Sequence, residues 1–396
     1  MFHDIIFIGG GFRTVSFLLA DYRLLELDLC IVERIGHLGP GKFKDLDCLS
    51  NSNASTFLRH LDHNSRIANK TLIKKMAVKH SPVSLTVIGR MLEIFGKEIK
   101  TQLPPGSVVT GHEVLSVDLR PADRYPVKVV LSDGNHINAK FCILGTGQSE
   151  LLMHELLPWK EKVLLSGQVL SASYRPQLLE KLKQNRSTRI VIVGCSHSAF
   201  ACAKLLCDII GKSENPHFYS IEILHRRKVH IYYPSVDEAR IHQDLKYEEE
   251  ASAQFICEES GEVFRDSGIK YEAKAMYRSI YSGKHDFIKM HPIENLYSCS
   301  TIFDGSNLII QATGLKSILP PLSLDGRIIN EANDTSKLLA DICGILSHES
   351  ANINGLIAQL RVMALPDICK DRKIYNKGLY NNLRDLLLTK FHSNAR

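Results

Sequence analysis

The stretch that decides the fold lies at the start of the chain and reads Asp4-Ile5-Ile6-Phe7-Ile8-Gly9-Gly10-Gly11-Phe12-Arg13-Thr14. Its four consecutive apolar residues are typical of a strand that is buried on both faces of a parallel sheet. A glycine turn follows at once, and the apolar residues of 15–20 then recur with the spacing of one helix face. A strand, a glycine turn and a helix in this order predict a dinucleotide-binding unit.

Further residues of the same unit fit this prediction. Gly9 permits a tight turn, and Gly11 lets the backbone approach a pyrophosphate on the N-terminus of the helix, where free N–H groups favour an anion. A second strand, 29–32, is followed by Glu33, at about the position where the dinucleotide-binding pattern has a carboxylate that accepts from the ribose hydroxyls. Thr14 replaces the third glycine of the pattern. The candidate cofactor-binding residues are Gly9, Gly11, Phe12, Arg13, Thr14 and Glu33; the alternative is an ordinary strand–turn–helix with a glycine turn.

Composition limits the class of protein. A chain of 396 residues with a formal net charge of +6 predicts a globular protein of about two domains. Basic clusters are short and not interleaved with aromatic residues, which argues against nucleic acid. The ten cysteines show neither a Cys-x-x-Cys pair nor a zinc-site spacing, so we expect no metal and a reducing, cytoplasmic location. The first strand begins by Asp4 and no apolar run approaches about 18 residues, so we expect neither a signal peptide nor a membrane span.

A second strand–turn–helix occurs at 189–210. Its turn reads Gly194-Cys195-Ser196-His197-Ser198-Ala199, with small residues where a phosphate must come close. The next strand, 221–224, is followed by Arg226 and Arg227, and cations there suit a ribose 2′-phosphate. The pattern therefore favours NADP(H) over NAD(H), with Gly194, Ser196, His197, Ser198, Arg226 and Arg227 as cofactor-binding candidates; a solvated basic loop is the alternative for the two arginines.

Two similar strand ends bracket this second unit. Thr146-Gly147 and Thr313-Gly314 each follow an apolar strand, at the end where open α/β sheets bind ligands, so both pairs are further cofactor-binding candidates. The spacing also predicts a helix over 83–103, a small antiparallel meander over 108–137 and a terminal helix over 376–391. Asn51, Asn53 and Gln148 lie in polar turns, where Asn is often only a turn or capping residue.

Two nucleotide folds, the second inserted between two Thr-Gly strand ends, resemble the flavoproteins with two dinucleotide-binding domains. The disulfide reductases among them carry a redox cysteine pair, which this chain lacks. The motifs are most similar to the class B flavin-dependent monooxygenases, and within these to the N-hydroxylating lysine and ornithine N-monooxygenases. Three features carry that similarity: Thr14 in the first fingerprint, the segment Leu170-Ser171-Ala172-Ser173-Tyr174, and residues 348–361.

The resemblance implies an α/β fold of two Rossmann-like domains, the NADPH domain inserted into the FAD domain, with a small antiparallel β meander. The boundaries would be 1–158 and 306–396 for the FAD domain and 159–305 for the NADPH domain. It also implies that NADPH reduces FAD, that O2 adds to give a flavin hydroperoxide, and that a neutral amine nitrogen takes the distal oxygen. Asn51, Asn53 and Gln148 are then the candidate catalytic contacts near the flavin ring. The expected partners are a small amine and O2 in siderophore or secondary-metabolite synthesis, and a homo-oligomeric state stays open.

The chain also departs from that group. Leu170 stands where the group has His, and His348 is followed by Glu349 rather than Gly. Asp237, a candidate substrate-binding residue, stands where the group has an Asn that helps to hold an amino acid. The substrate therefore need not be ornithine or lysine. Two alternatives stay open: an NAD(P)H-dependent flavin reductase or oxidase acting on a small carbonyl or quinone, and an FAD-binding protein without turnover.

Overall fold

The computed structural model describes residues 1–62, 65–183, 187–212, 219–242, 255–257, 260–265, 267–353, 355–360 and 372–391, and the side chains of 372–377 are not described. The strands of this described part are, in chain order, β1 (Phe2–Ile8), β2 (Leu29–Glu33), β3 (Val108–Thr110), β4 (Val114–Leu119), β5 (Val127–Leu131), β6 (His136–Leu144), β7 (Gln148–Ser149), β8 (Val163–Leu165), β9 (Thr188–Val193), β10 (Tyr219–His225), β11 (Ile288–Pro292), β12 (Leu308–Gln311), β13 (Lys316–Ser317), β14 (Leu322–Leu324), β15 (Arg327–Asn330), β16 (Leu338–Ala340), β17 (Leu346–His348) and β18 (Ile357–Gln359).

The α-helices of these residues are α1 (Phe12–Leu18), α2 (Thr71–Ala77), α3 (Leu85–Gln102), α4 (Ser166–Val169), α5 (Arg175–Lys183), α6 (His197–Ile210), α7 (Val236–Ile241), α8 (Tyr271–Tyr281), α9 (Ser300–Asp304) and α10 (Arg372–Phe391). Short 3₁₀ helices include Gly41–Asp45 and Ala54–Leu58. The predicted helices over 83–103 and 376–391 correspond to α3 and α10 and are confirmed.

The chain forms two compact units. The first comprises Met1–Lys44, Ser52–Ser149 and Lys316–Arg396, and the second comprises Asp45–Asn51 and Glu150–Leu315. The first unit is organised around a sheet of order β15-β14-β4-β5-β6-β1-β2-β3, and β18 also pairs with β6. Strands β6, β1, β2, β3 and β18 run parallel to their neighbours in this group. Strands β4, β5 and β6 form an antiparallel meander, but the start of the range predicted for it, 108–110, is β3 and pairs in parallel with β2.

The second unit contains a five-stranded parallel sheet of order β11-β10-β9-β12-β8. Strand β1 is buried on both faces, since Ile5 and Phe7 join one apolar cluster and Ile6 and Ile8 join another. Residues 190–193 of β9 alternate between two clusters in the same way. Both apolar runs are thus central parallel strands, and the predicted fold class is confirmed.

The compact units divide the chain at different points from the predicted domains. Strand β12, assigned by sequence to the FAD domain, pairs in parallel with β9 and belongs to the second sheet. The segment Asp45–Asn51, also assigned to the FAD domain, belongs to the second unit. Local patterns cannot separate these cases, because an apolar strand that ends in Thr-Gly has the same sequence signature in either sheet.

Candidate dinucleotide-binding sites

The parallel strands of the first unit end together at one edge of the sheet. Pairing aligns Val32 of β2, Ile8 of β1, Leu144 of β6 and Gln359 of β18 in a single row. Beyond this row the Gly9 N–H donates to Val32 O at 2.8 Å, and the Gly145 N–H donates to Ile8 O at 2.8 Å. The glycine turn therefore lies at the carboxyl end of the central strand, where open parallel sheets bind ligands.

Gly9 and Gly11 serve different purposes in this turn. Gly9 has φ +94°, and a Cβ atom there would lie 2.6 Å from the carbonyl oxygen of Gly145. Gly9 is therefore needed to pack the turn against the end of β6. Gly11 has an ordinary φ of −77°, and a Cβ there would meet no atom within 4 Å. The space beside Gly11 at the start of α1 is open to a ligand.

Thr14 closes the turn from the helix side. Its side chain is fully buried, and its hydroxyl donates to the carbonyl oxygen of Gly9 at 2.5 Å. The polar residue in the place of a third glycine thus links α1 to β1 by a hydrogen bond. Thr14 supports the turn, and its buried hydroxyl is already used within the chain.

Glu33 lies beside the glycine turn at the end of β2. One carboxylate oxygen accepts from the Gly10 N–H at 2.6 Å, and the other accepts from the Ile35 N–H at 3.1 Å. Each carboxylate oxygen has a second lone pair, so the half-buried group can also accept from two ligand hydroxyls. These bonds fix the orientation that a ribose-binding carboxylate requires.

Phe12 and Arg13 begin helix α1. The Phe12 ring packs against Phe43 and Phe57, at centroid distances of 6.1 and 5.6 Å, and the Arg13 guanidinium lies 5.7 Å from the Phe12 ring centroid. The hydroxyl of Tyr380 on α10 donates to Arg13 O at 3.2 Å. The C-terminal helix therefore braces the helix that follows the glycine turn. First-turn residues of α1 include no acid, which leaves its N-terminus favourable for an anion.

The second unit repeats the geometry of the first. The Gly194 N–H donates to Leu224 O at 2.9 Å, and the Ala312 N–H donates to Val193 O at 2.8 Å. Gly194 has φ +128°, and a Cβ there would lie 2.8 Å from the carbonyl carbon of Ala312. Gly194 and Ala312 thus correspond to Gly9 and Gly145. Each sheet has a glycine turn that packs against the end of the neighbouring strand.

Helix α6 begins at His197 directly after this turn. Ser196, the N-cap residue, is exposed and makes no side-chain capping bond, while Ser198 is half-buried. The His197 Nε2 atom accepts from the Lys270 N–H at 3.0 Å. Burial, aided by the Lys270 charge, lowers the pKa of His197 to about 4, so the ring is neutral near pH 7. His197, predicted as a cofactor contact, fastens the 269–271 turn to the start of α6 through this nitrogen.

Arg226 and Arg227 follow strand β10, the neighbour of β9. Both are exposed, and neither guanidinium forms an ion pair with a residue of the described ranges. The Cys195 thiol donates to Arg227 O at 3.4 Å and so connects this basic segment to the glycine turn. Burial raises the pKa of Cys195, so this thiol is not poised as a thiolate nucleophile. The two cations lie at the end of the second strand of the unit, where a ribose 2′-phosphate would be bound.

The two Thr-Gly pairs follow β6 and β12. The Thr146 hydroxyl donates to Ile318 O, and Gly147 is exposed with φ +74°. Gln148 pairs with Ser317 in the short β7–β13 ladder and is half-buried. Thr313 and Gly314 are exposed residues of the second unit, not of the unit that contains Gly9. The Thr313-Gly314 pair therefore lies beside the Gly194 turn, because β12 adjoins β9.

The remaining candidates occupy turns and an exposed helix. Asn51 is exposed and is the last residue of the second unit's segment Asp45–Asn51, whereas Asn53 is the residue immediately before the helix Ala54–Leu58 of the first unit, and its side chain makes no capping bond. Asp237 lies in the first turn of α7 with its side chain 86% exposed, 3.4 Å from Arg240. No described contact brings these three residues to the glycine turns. Their proposed roles stay predictions.

Sequence patterns missed one residue of the first site, Gln359. This side chain at the end of β18 is 3% exposed, and its Oε1 atom is buried without a hydrogen-bond partner in the described chain. Gln311 makes an instructive comparison, because it ends β12 in the second unit. Its amide donates to Leu151 O and accepts from the Met153 N–H, both at 2.8 Å. A buried polar atom left unpaired costs about 1–3 kcal/mol, so Gln359 marks a place where a ligand would complete the hydrogen bonding.

These observations fit two dinucleotides. In the first unit, the open space at Gly11, the oriented carboxylate of Glu33 and the unpaired amide oxygen of Gln359 lie along one sheet edge. In the second, the start of α6 has no acidic residue in its first turn, and Arg226 and Arg227 follow the neighbouring strand β10 without an ion pair to the described residues. No cluster of three or more His, Cys, Asp or Glu side chains that could hold a metal occurs among the described residues. Across the same ranges, no helix is both long and apolar enough to cross a membrane.

Comparisons with known proteins agree on the fold. No protein-family model matches the sequence, and no curated protein matches it either. A reduced ornithine hydroxylase from Pseudomonas aeruginosa superposes with a TM-score of 0.60 at 14% identity, covering 97% of this chain and 100% of that chain. The ornithine N-hydroxylase of Kutzneria sp. 744, solved with reduced FAD, NADP+ and L-ornithine, gives 0.55 at 14% identity over 97% and 96%. A bacillithiol disulfide reductase from Staphylococcus aureus gives 0.52 at 13% identity over 98% and 99%.

The two sheets and their glycine turns define a chain with two Rossmann-like units. Ninety-seven per cent of it superposes on solved N-hydroxylating monooxygenases, so the fold expected from the sequence motifs is confirmed. A disulfide reductase superposes almost as well. The fold alone therefore does not select the reaction, which has to be argued from the residues of this chain.

Proposed function

We propose that this protein is an FAD- and NADPH-dependent monooxygenase that hydroxylates an amine nitrogen of a small molecule. The observation that carries the proposal is the pair of equivalent glycine turns, one beside a carboxylate and the other beside two arginines. The solved N-hydroxylating enzymes of the same fold support the choice of reaction.

Charge assigns the two cofactors to the two units. Glu33 lies beside the first turn, and its carboxylate would repel a 2′-phosphate but can accept from ribose hydroxyls. Arg226 and Arg227 lie at the corresponding strand end of the second unit, where they would attract that phosphate. We therefore propose FAD for the first unit and NADPH for the second.

Residues of the first unit would hold FAD in a defined orientation. The start of α1 would bind the pyrophosphate beside Gly11, Glu33 would accept from the ribose, and the Gln359 amide would bind a polar atom of the cofactor. In the second unit the start of α6, with Ser196 and Ser198, would bind the NADPH pyrophosphate. Bound FAD would supply the two-electron chemistry with NADPH and O2 that no side chain can provide.

The overall reaction balances without a catalytic acid or base of unusual strength. An amine, O2, NADPH and a proton give a hydroxylamine, water and NADP+, and without oxygen transfer the same NADPH, proton and O2 give NADP+ and H2O2. The neutral amides of Asn51, Asn53 and Gln148 are proposed to bind and orient the reacting amine. Asp237, a carboxylate in the place of the group's Asn, would favour a substrate whose other end is a cation over one that ends in a carboxylate.

The cysteines argue against disulfide-reductase chemistry. The nine described cysteines are free thiols, and none forms a disulfide within the described ranges. Burial raises the pKa of Cys30 and of Cys48 to about 12, so neither thiol is poised as a thiolate nucleophile. This is why oxygen transfer to nitrogen, rather than thiol exchange, is proposed on a fold that serves both reactions.

Spectroscopy and product analysis of the purified protein test the proposal. We expect a flavin spectrum that bleaches without oxygen on addition of NADPH, and more slowly on addition of NADH. With oxygen, a panel of diamines and amino acids should reveal an amine that gives a hydroxylamine in step with NADPH oxidation. NADPH oxidation that yields only H2O2 with every amine would favour a reductase or oxidase, and a flavin that NADPH does not bleach would favour a protein without turnover.

A further inference from the structure

One segment of the N-terminal chain, Asp45–Asn51, belongs to the second compact unit. This strap, Asp45–Asn51, lies between two stretches of the first unit that end at Lys44 and resume at Ser52. The strap pairs with the segment after helix α4. The Asp47 N–H donates to Leu170 O at 2.8 Å, and the Ala172 N–H donates to Asp45 O at 2.7 Å. Leu46 and Cys48 pack against the apolar core of the second unit.

Asp45 is the main polar anchor of the strap. One carboxylate oxygen accepts from the Ser171 and Ser173 hydroxyls at 2.5 and 2.9 Å, and the other accepts from the Ser173 N–H at 2.9 Å. Burial raises the pKa of Asp45, but these hydrogen bonds outweigh burial and hold the pKa below its ordinary value. Asp47 provides a weaker contact, since its 62% exposed side chain lies 3.2 Å from Arg175.

The strap ends at the residues proposed to act on the substrate. Asn51 is its last residue, and Asn53 follows two positions later as the cap of Ala54–Leu58. Beyond the Asp47–Leu170 bond, only three residues precede Asn51, so the docked strap restricts where that turn can lie. We propose that Asp45 is a positioning residue that sets the location of the Asn51–Asn53 turn through its bonds to Ser171 and Ser173. This inference rests on the proposed function.

Loss of the anchor would misplace the turn without removing a cofactor contact. NADPH oxidation would continue, but less of the oxygen would reach the amine and more would leave as H2O2. For Asp45→Ala we expect the ratio of hydroxylamine to NADPH consumed to fall by about threefold or more, because small displacements of orienting groups can cost up to about a hundredfold in rate. The KM for NADPH should stay within about twofold, since the Asp45 side chain bonds to Ser171 and Ser173 and to no residue of the Gly194 turn among the described contacts.

Trypsin provides a readout that does not depend on turnover. Lys44 immediately precedes the strap, and the bonds of Asp45 to Ser171, Ala172 and Ser173 hold the residue after the scissile bond, so we expect cleavage there to need local opening of these bonds. We expect the double variant Ser171→Ala, Ser173→Ala, which leaves the residues around the scissile bond unchanged, to accelerate this cleavage in the protein as purified by about fivefold or more. In the product assay Asp45→Asn, which keeps one acceptor oxygen, should give an intermediate ratio of hydroxylamine to NADPH. Asp47→Ala is the matched control, because it removes the same charge from the same strap and should match the wild type in both assays.

The outcomes separate the inference from the proposed function. Faster cleavage with an unchanged ratio of hydroxylamine to NADPH would overturn the positioning role, as would an Asp47→Ala variant that behaves like Asp45→Ala. If Asp45→Ala does not fold, the double variant Ser171→Ala, Ser173→Ala is judged by the same criteria. A wild-type chain that forms no hydroxylamine from any amine would overturn the proposed function and this inference with it, whereas an active wild type with a fully coupled Asp45→Ala variant overturns the inference alone.

Discussion

Substituting Gly9 and Gly11 by alanine should separate folding from cofactor binding within one turn. The two residues are two positions apart, but their surroundings differ. At Gly9 the positive φ of +94° and a Cβ placed 2.6 Å from Gly145 O both oppose a side chain. At Gly11 the φ of −77° suits alanine, and no atom of the chain lies within 4 Å of the added methyl.

The magnitudes follow from these contacts. A left-handed conformation costs a non-glycine residue about 1–2 kcal/mol. Forcing a methyl against backbone costs about 1–3 kcal/mol more. We therefore expect Gly9→Ala to lower the free energy of unfolding by about 3 kcal/mol, or roughly 6–12 °C in melting temperature for units of this size. Gly11→Ala should change stability by less than about 1 kcal/mol but weaken FAD binding by about tenfold or more, because its methyl occupies the space proposed for the pyrophosphate.

Two measurements check this contrast. Thermal unfolding followed by circular dichroism in FAD-free protein gives the stability, and quenching of flavin fluorescence gives the dissociation constant for FAD. The reasoning is refuted if Gly11→Ala binds FAD within twofold of the wild type, since the open space would then not be the phosphate site. A Gly9→Ala variant that melts with the wild type would show that the turn does not pack against β6 as described.

Three further perturbations test the other parts of the site. Replacing Arg226 and Arg227 together by alanine should raise the KM for NADPH by about 100-fold and leave the KM for NADH within about threefold, because each exposed phosphate contact contributes about 1.5 kcal/mol. The control is Lys289→Ala, which removes an exposed cation on β11. Equal effects on the two nucleotides would reject the 2′-phosphate role. Because folding lowers the pKa of His197 from 6.5 to about 4, the unfolded chain binds the proton first and stability falls as the pH drops through this interval. Between pH 7 and pH 4.5 the free energy of unfolding, measured with urea, should fall by roughly 2 kcal/mol less in His197→Gln than in the wild type. Equal decreases in the two proteins would contradict the lowered pKa of His197. Gln359→Leu should raise the melting temperature of FAD-free protein while lowering its affinity for FAD, since it removes an unpaired buried oxygen that a ligand would satisfy; unchanged FAD affinity would remove Gln359 from the site.

The local sequence was enough to predict the central strand, glycine turn and helix of each unit. The apolar runs of β1 and β9 are buried on both faces, and each is followed by the glycine turn and helix that the pattern indicates. The reasons are local: four apolar residues require a sheet covered on both sides, and a glycine with positive φ makes the turn possible. Thr14 shows the limit of pattern matching. The pattern has a third glycine at this position, and only the structure reveals that the Thr14 hydroxyl donates a hydrogen bond to Gly9 O instead.

Features that depend on distant partners were beyond the sequence. Gln359 has no motif around it, and its role emerges only because β18 pairs with β6, more than 200 positions earlier in the chain. Strand β12 lies within the predicted FAD-domain range but pairs with β9 of the second sheet, because its apolar run and Thr-Gly end look the same as those of β6. The strap Asp45–Asn51 went unnoticed because its anchor, Asp45, binds serines about 126 positions away in sequence. Tertiary pairing, rather than propensity, decides each of these cases.

The stoichiometry of the products tests whether the FAD- and NADPH-loaded protein transfers oxygen to an amine nitrogen. Hydroxylamine, H2O2 and consumed NADPH are measured together in air-saturated buffer, across a series that runs from monoamines through diamines to ornithine and lysine. We expect at least one amine for which hydroxylamine formation accounts for most of the NADPH consumed, and H2O2 should fall as that amine is added. Amines that carry a second cationic group should be better substrates than amines that carry a carboxylate. Stoichiometric H2O2 that is unaffected by every amine would contradict this oxygen transfer.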